Sequence, residues 1–415
     1  MEMSPISPAQ QKRHRNWRAE RISHDHLIMK QEIDFILKSA TESGQIAGVV
    51  ATAATENGVI YEGAFGIREL SEVAAMTTNT VGYIASMTKA LTGAAAMQLA
   101  ERGKLKLDSP AAIIVPTLAD VKVLSGFDSN GQPILRSPKR PITLRHLLTH
   151  TSGFGYEIWS PDILRYNEAT GTPSIFTSKN GALTAPLLCD PGEGWVYGIG
   201  IDWVGKMVEA VSGQDLGTFF KENLFEPLGM KSTVFKLTPE IRTRLASMHT
   251  RQPDGTLKVY RWEFDQNPEF LQGGGGLYST MPDYLRFTQM ILHRGKFNGH
   301  QILKPETVDM MSQNQIGEVC CNDLKTSLPF YSNDANFYPN MKQKWGLSFL
   351  INTEAGHAGR SAGSLAWAGL NNTYYWLDPV KKIAGVFMTQ TLPFADYTVL
   401  EALDSFERAV YQSVG

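Results

Sequence analysis

A serine and a lysine three residues apart are the first side chains in this chain that suggest chemistry. Ser86 and Lys89 stand at the front of an alanine-rich run, Tyr83 to Leu99, whose spacing predicts a helix. Residues i and i+3 share one face of a helix, so the ammonium group of Lys89 can lie beside the Ser86 hydroxyl. A serine becomes a good nucleophile when a nearby base takes its proton. The free N–H groups of the first helical turn favour the negative charge that then develops.

Such a pair needs a second group that handles protons and an oxyanion hole. The segment Pro191 to Gly198 supplies Tyr197 in a glycine-rich turn, just before the predicted helix Asp202 to Ser212. Four consecutive glycines, Gly273 to Gly276, are not a phosphate loop, because no Gly-Lys-Ser/Thr follows them. We expect this run to allow a close backbone approach near the site.

The composition indicates a globular protein of enzyme size. The chain has 415 residues, 42% of them hydrophobic and 19% charged, and its net charge of −2 gives no reason to expect a nucleic-acid partner. No stretch reaches the roughly 18 apolar residues of a membrane span, and the polar, basic residues 1–21 do not resemble a signal peptide. We therefore expect a cytoplasmic protein with no membrane partner. Its three thiols should be reduced: Cys189, Cys320 and Cys321.

Strands are predicted at both ends of the chain, with helices mostly between them. The apolar runs predict strands at Ile46–Ala54, Val59–Gly66, Trp345–Ile351, Gly363–Trp367, Thr373–Leu377 and Ile383–Thr389. Amphipathic spacing predicts helices at His26–Ser43, Leu216–Leu224, Pro282–Arg294 and Leu400–Ser413, in addition to those after Ser86 and Tyr197. The simplest packing is an α+β fold, with a mainly antiparallel sheet flanked by helices and formed by both chain ends.

This layout predicts two subdomains behind a polar N-terminal tail. The tail covers residues 1–25, the sheet subdomain residues 26–90 and 281–415, and the inserted, mostly helical subdomain residues 91–280. Ligand sites prefer the junction between such units, so we expect a catalytic cleft there.

Five motifs in order resemble the serine β-lactamase-like superfamily, which includes class C β-lactamases and penicillin-binding proteins. The set is similar above all to the family VIII carboxylesterases, and it spans about residue 30 to the end. The motifs are Ser86-x-x-Lys89, Leu148 to Gly153, Pro191-Gly192-Glu193 with Tyr197, Gly273 to Leu277, and Gly363 to Gly369. The resemblance implies the β-lactamase-like fold and needs no metal or cofactor.

The resemblance also implies roles for individual residues. Ser86 matches the acylated nucleophile, Lys89 the partner that helps to deprotonate it, and Tyr197 the tyrosine that shuttles protons. The backbone N–H groups of Ser86 and Leu370 match the oxyanion hole. A partly dry cleft would lower the pKa of Lys89 or Tyr197 from their ordinary ~10.4 and ~10, and the pair would titrate jointly.

Two departures from the superfamily pattern favour esters over β-lactams as substrates. Trp367-Ala368-Gly369 replaces Lys-Thr-Gly, which removes the cation for a β-lactam carboxylate. Ile199 replaces the asparagine of Tyr-x-Asn, which removes the amide for an acylamino group. We therefore predict a carboxylesterase that acts on a small short-chain or aromatic ester. Its substrate pocket is expected to include Trp159, Trp195, Trp367, Gly369 and Ile199.

Other functions remain open with the same machinery. Fungal polyketide transesterases of the same superfamily pass the acyl group to an alcohol, and an amide hydrolase of the β-lactamase or peptidase type shares the acyl-enzyme. A binding protein that lost turnover is a third alternative, disfavoured by the presence of Ser86, Lys89 and Tyr197. The sequence does not indicate the oligomeric state or a role for Cys320 and Cys321.

Two further motifs are interpreted as structural. Ser361 lies in Gly-x-Ser-x-Gly, but a probable strand follows it where a nucleophile elbow needs a helix. His146 and His150 are four residues apart, yet the glutamate of a His-Glu-x-x-His metal site is absent. We expect these histidines to stabilise a turn.

Overall fold

Residues 27–414 are described in the computed structural model of this chain. The predicted tail, residues 1–25, therefore lies outside the described residues. The strands are β1 (Gly48–Thr55), β2 (Gly58–Gly66), β3 (Gly82–Tyr83), β4 (Val123–Phe127), β5 (Pro133–Arg136), β6 (Met248–Arg251), β7 (Leu257–Tyr260), β8 (Tyr278–Ser279), β9 (Lys296–Phe297), β10 (His300–Gln301), β11 (Lys344–Trp345), β12 (Leu350–Ile351), β13 (Leu365–Gly369), β14 (Thr373–Asp378), β15 (Ile383–Met388) and β16 (Thr391–Leu392). The helices are α1 (residues 27–42), α2 (Thr88–Glu101), α3 (Leu144–Leu148), α4 (Pro161–Thr170), α5 (Gly200–Ser212), α6 (Leu216–Phe220), α7 (Glu226–Leu228), α8 (Pro239–Arg242), α9 (Met281–Leu292), α10 (Pro305–Met311) and α11 (Tyr397–Val414).

A seven-stranded antiparallel sheet joins the two ends of the described chain. Its order is β11-β12-β13-β14-β15-β1-β2, so the N-terminal hairpin β1–β2 pairs with β15 from the C-terminal part. Val50 lies opposite Met388 and Gly48 opposite Gly66. The sequence-based prediction of a mainly antiparallel sheet built from both ends is confirmed.

The prediction of one continuous strand from Trp345 to Ile351 is wrong. The chain reverses there, and β11 and β12 pair with each other as a short antiparallel hairpin. Ser348 adopts a positive φ of 75°, which no extended strand contains, and its N–H donates to the Leu148 carbonyl at 3.1 Å. The residues from Trp345 to Ile351 are mostly apolar and buried, but they pack against neighbouring loops and helices as well as within the sheet.

Helices cover both faces of the sheet. Phe406 of α11 packs on Tyr61, Trp376 and Phe387 of one face, with ring centroids 5.6–6.0 Å apart. On the other face, Tyr284 of α9 packs against Tyr375, the neighbour of Trp376 in β14. Successive residues of a strand point to opposite faces, so β14 contributes a buried aromatic ring to each layer. Burial of each such ring stabilises the fold by about 1.5–3 kcal/mol.

Helix α2 is the buried centre of the helical part. Twelve of its fourteen residues are buried, including Lys89, and it packs mainly against α5. Its predecessor, the 3₁₀ turn Ala85–Met87, carries Ser86 at the end of the helix that faces the sheet. Because α2 is surrounded on all sides, the positions of Ser86 and Lys89 are fixed by packing.

Three further points concern membrane-spanning helices, the cysteines and the predicted subdomains. Within residues 27–414, none of the helices combines the length and the hydropathy that a bilayer span requires. Cys189, Cys320 and Cys321 are free cysteines. The division into residues 26–90 with 281–415 and residues 91–280 stays a prediction.

Candidate active site

Ser86 lies in a tight turn that is held from both sides. Ala85 has a positive φ of 43°, so the chain turns sharply before Ser86 and then enters α2. Thr88 accepts a hydrogen bond from the Leu277 N–H at 3.2 Å, which ties the start of α2 to the segment after the glycine run. On the opposite side, the end of β13 abuts Ile84, where a Cβ on Gly369 would lie 2.3 Å from the Ile84 carbonyl oxygen.

Lys89 is completely buried and points back at Ser86. Its Nζ lies 3.1 Å from the Ser86 hydroxyl, 3.0 Å from the Tyr156 hydroxyl and 2.6 Å from the Gly274 carbonyl. The contact between Ser86 and Lys89 that the spacing predicts is therefore present. All three neighbours are uncharged oxygens, and among the described residues no carboxylate forms an ion pair with Lys89.

The glycine run passes between α2 and α5 at the level of Lys89. Gly274 accepts from Lys89, and Gly273 accepts from the Thr92 hydroxyl at 2.6 Å, one turn further along α2. A Cβ on Gly274 would lie 2.5 Å from a carboxylate oxygen of Asp202. The expected close backbone approach is confirmed, and glycine is required because a side chain would collide with α5.

Tyr197 lies beside Lys89 within a cluster of aromatic rings. Its ring centroid is 4.8 Å from the Lys89 Nζ, and its hydroxyl accepts a hydrogen bond from the Trp367 indole N–H at 3.0 Å. His150, Tyr156 and Trp159 surround the ring with centroid distances of 4.8–5.4 Å. The structure thus brings together the predicted set of Ser86, Lys89 and Tyr197.

Burial shifts the pKa values of the two basic candidates in opposite directions. Burial lowers the pKa of Lys89 because it disfavours the ammonium form, and the nearby charge of Asp202 opposes this shift. Burial raises the pKa of Tyr197 because it disfavours the phenolate, and hydrogen bonds with Ser86 and Trp367 oppose the rise. Near neutral pH the lysine is therefore the available base, and the tyrosine is a phenol that can donate its proton.

A small, partly open cavity lies beside Ser86. Ser86 and Leu370 both line it, as the expected oxyanion hole requires. The walls are mainly aromatic or aliphatic: Tyr83, Tyr156, Ile158, Trp159, Ile175 and Phe176. Such a cavity suits an apolar acyl or alcohol group.

The predicted pocket residues divide into two groups. Trp159 lines the cavity beside Ser86. Trp195, Trp367 and Ile199 do not line it, because Trp195 and Trp367 pack around the Tyr197 ring and Ile199 caps α5. Gly369 is also outside the lining and serves as the contact between β13 and Ile84.

Sequence reasoning missed two residues of this centre. Tyr156 accepts a hydrogen bond from Lys89, and Asp202 accepts from the Gly274 N–H at 2.8 Å. Tyr156 lies three residues after the motif that ends at Gly153, and Asp202 lies five residues after Tyr197. Their nearness to those motifs was the only available signal.

The structure shows the surroundings of the two motifs that were interpreted as structural. Ser361 is followed by β13, so the strand–turn–helix context of a nucleophile elbow is missing. His146 completes a capping box with Thr143 at the start of α3. His150 is buried among the rings of Tyr197, Trp195 and Trp345. Among the described residues, no group of three His, Cys, Asp or Glu side chains is placed to hold a metal ion.

Comparisons with known proteins cover nearly the whole chain. The family model described as "Beta-lactamase" matches residues 33–406. The ML-236A carboxylate methylbutanoyltransferase of Penicillium citrinum is 33% identical over 406 residues, which are 93% of this chain and 95% of that protein. The lovastatin esterase of Penicillium rubens is 31% identical over 396 residues, which are 92% of this chain and 98% of that protein.

A solved structure gives the same picture. A mutant of simvastatin synthase (LovD) from Aspergillus terreus superposes with a TM-score of 0.79 at 32% identity, covering 92% of this chain and 98% of that one. Relatives with both transferase and esterase names therefore share the fold and most of the length of this chain.

Proposed function

The chain belongs to the β-lactamase family, and from this premise we propose that it is an acyltransferase that moves an acyl group from an ester through Ser86 to an alcohol. One observation carries the proposal: the Nζ of Lys89 lies 3.1 Å from the Ser86 hydroxyl and beside the Tyr197 ring. This lysine is buried, and the atoms that it contacts carry no charge. The transferase relatives support an alcohol as acceptor, and the mainly apolar cavity wall suits the carbon skeleton of such an acceptor.

In the proposed first step, the Ser86 oxygen bonds to the acyl carbon of the donor. Lys89 receives the serine proton, and the oxyanion is held by the N–H groups of Ser86 and Leu370. Collapse of this intermediate breaks the bond to the leaving alcohol, whose oxygen takes a proton from the Lys89 and Tyr197 pair. The acyl-enzyme remains on Ser86.

In the proposed second step, the acceptor alcohol attacks the acyl carbon and the protons return by the reverse route. Tyr197 suits the role of proton donor because its raised pKa keeps it a phenol. Trp367 donates to the same phenol oxygen and so fixes where its proton points. No cation replaces the lysine lost at Trp367, so we expect β-lactam turnover to be weak or absent.

Ester hydrolysis is the second candidate, because the lovastatin esterase relative covers the chain as fully as the transferases do. Water then replaces the alcohol in the second step, while the residues stay the same. The two functions differ only in how the acyl-enzyme divides between acceptors.

The test measures both acylation and partitioning. With p-nitrophenyl butyrate as donor, Ser86→Ala should lower kcat/KM by at least about 10³-fold and abolish labelling by a fluorophosphonate probe. Ser361→Ala, the matched control, should keep both. Labelling that persists in Ser86→Ala and disappears in Ser361→Ala would refute the assignment.

Partitioning is read by adding a small panel of alcohols, from butanol to an aromatic alcohol, and measuring ester and acid products. Ester formation well above that of a Ser86→Ala blank supports acyl transfer. Acid as the sole product with every alcohol favours the esterase function.

A further inference from the structure

A buried carboxylate next to Lys89 has no part in the steps above. Asp202 lies in the first turn of α5 and is 1% exposed. Its Oδ1 accepts from the Gly274 N–H at 2.8 Å, whereas among the described residues Oδ2 has no hydrogen-bond partner. A carboxylate buried with an oxygen unsatisfied is unfavourable for folding, so its presence needs an explanation beyond stability.

Gly274 connects this carboxylate to Lys89. Its N–H donates to Asp202, and its carbonyl accepts from the Lys89 Nζ at 2.6 Å. Hydrogen bonds in series polarise one another in a buried site. The connection is also steric, because a Cβ on Gly274 would lie 2.5 Å from Asp202 Oδ2.

Asp202 is the one acidic group facing Lys89 within the described part of the chain. The other titratable groups around the ammonium are Tyr156, Tyr197 and His150. Burial raises the pKa of both tyrosines, and burial lowers that of His150 well below its ordinary value, so all three are neutral near pH 7. A change of charge at Lys89 is therefore compensated by Asp202.

We propose that Asp202 is a positioning residue that holds Lys89 through Gly274 and stabilises the ammonium ion formed when Ser86 loses its proton. The serine proton moves to the Lys89 Nζ, and the negative charge of Asp202 balances the new positive charge without entering a bond change itself. This inference rests on the proposed function, because it requires Lys89 to be the base.

The experiment compares the pH dependence of kcat/KM for p-nitrophenyl butyrate in the wild type, Asp202→Asn and Asp283→Asn. The asparagine can still accept from Gly274 but carries no charge. Burial raises the pKa of Asp202 to about 6, and the charge of Lys89 opposes this rise, so both groups contribute to the acid limb of the wild type. Without the carboxylate, that titration is removed and the pKa of Lys89 should fall, so the acid limb should move to lower pH by about one unit. The plateau of kcat/KM should fall by about 10–100-fold, because the ammonium intermediate is less stable.

Asp283 is the matched control. It is also a buried aspartate in the first turn of a helix, and it accepts a backbone hydrogen bond from the Ser232 N–H at 2.7 Å. Asp283→Asn should leave the acid limb in place, even where it lowers the melting temperature. Should Asp202→Asn fail to fold, Asp202→Ala removes the charge without adding any atom to the packed site, and the same downward shift of the limb is expected.

An unchanged acid limb in folded Asp202→Asn, or in Asp202→Ala where the first variant does not fold, overturns this inference. So does an equal shift in Asp283→Asn. Failure of the proposed function is distinguishable, because activity would then survive in Ser86→Ala. If Ser86→Ala is inactive and the limb stays in place, the acyl-enzyme scheme stands and the role of Asp202 does not.

Discussion

Within residues 27–414, one lysine and one arginine side chain are buried, Lys89 and Arg360, and their surroundings differ. Lys89 has three uncharged oxygens around its Nζ and no carboxylate in contact. Arg360 is held by Glu407 through two hydrogen bonds of 2.7 and 2.5 Å. Both side chains are almost fully buried, yet they lie in opposite electrostatic environments.

The pKa values move in opposite directions for this reason. Burial lowers the pKa of Lys89, and the charge of Asp202 offsets it only in part. Burial also acts to lower the pKa of Arg360, but Glu407 together with Tyr338 and Tyr411 outweighs it, and the net shift is upward. A cation without a contacting anion becomes a base, whereas a cation with one becomes a permanent ion pair.

The largest expected effect follows from removing the base. Lys89→Met keeps the apolar stem and removes the amine, so kcat/KM for p-nitrophenyl butyrate should fall by about 10³–10⁴-fold. At pH values below ~10.4, Lys89 is protonated in the unfolded chain, whereas burial disfavours its protonated form in the folded protein. In that pH range the amine therefore lowers the free energy of unfolding. Loss of its hydrogen bonds acts the other way, and the free energy of unfolding at pH 7 should change by about 1 kcal/mol or less. Activity within tenfold of the wild type would refute Lys89 as the base.

Removing Arg360 should lower the stability of the fold and leave the reactivity of Ser86 largely intact. Arg360→Met leaves Glu407 buried without its partner, which should lower the free energy of unfolding by about 3–5 kcal/mol in urea denaturation. Below the unfolding transition, fluorophosphonate labelling of Ser86 should persist. Arg360→Met combined with Glu407→Leu removes both charges and should recover most of the stability. A double variant no more stable than the single one would contradict this account of the pair.

The candidate active site was predictable where it depends on local spacing and ordered motifs. Ser86 and Lys89 meet because i and i+3 share a helix face, and Tyr197 follows from its turn before α5. The superfamily and its fold are likewise confirmed, whereas membership of the family VIII carboxylesterases stays a prediction. The glycine run was predicted to approach the site, but the bond from Lys89 to Gly274 and the contact of Asp202 were missed, because they depend on how α2, α5 and the run pack together.

The strands, too, were predictable where local sequence determines them and not where tertiary contacts do. The hairpin β1–β2 was predictable because the turn signal Glu56-Asn57-Gly58 lies between two apolar runs. The reversal between β11 and β12 was not, because Ser348 is held in its positive-φ conformation by a carbonyl of the distant Leu148. Sequence patterns describe a residue's neighbours along the chain and not those brought by tertiary contacts.

The smallest expected effect concerns the indole that fixes Tyr197. Trp367→Phe keeps an aromatic ring but removes the N–H that donates to the Tyr197 hydroxyl at 3.0 Å. One neutral hydrogen bond contributes about 1 kcal/mol, so kcat/KM should fall by roughly 5-fold.

Trp345 is the matched control, since its ring lies 4.7 Å from that of Trp367 but its N–H donates to the Leu148 carbonyl instead. Trp345→Phe should lower the melting temperature and leave kcat/KM within about twofold, because no proton-handling group loses a partner. Equal losses of activity in both variants would mean that the aromatic cluster acts by packing alone, and that the neutral donor of Trp367 has no influence on where Tyr197 directs its proton.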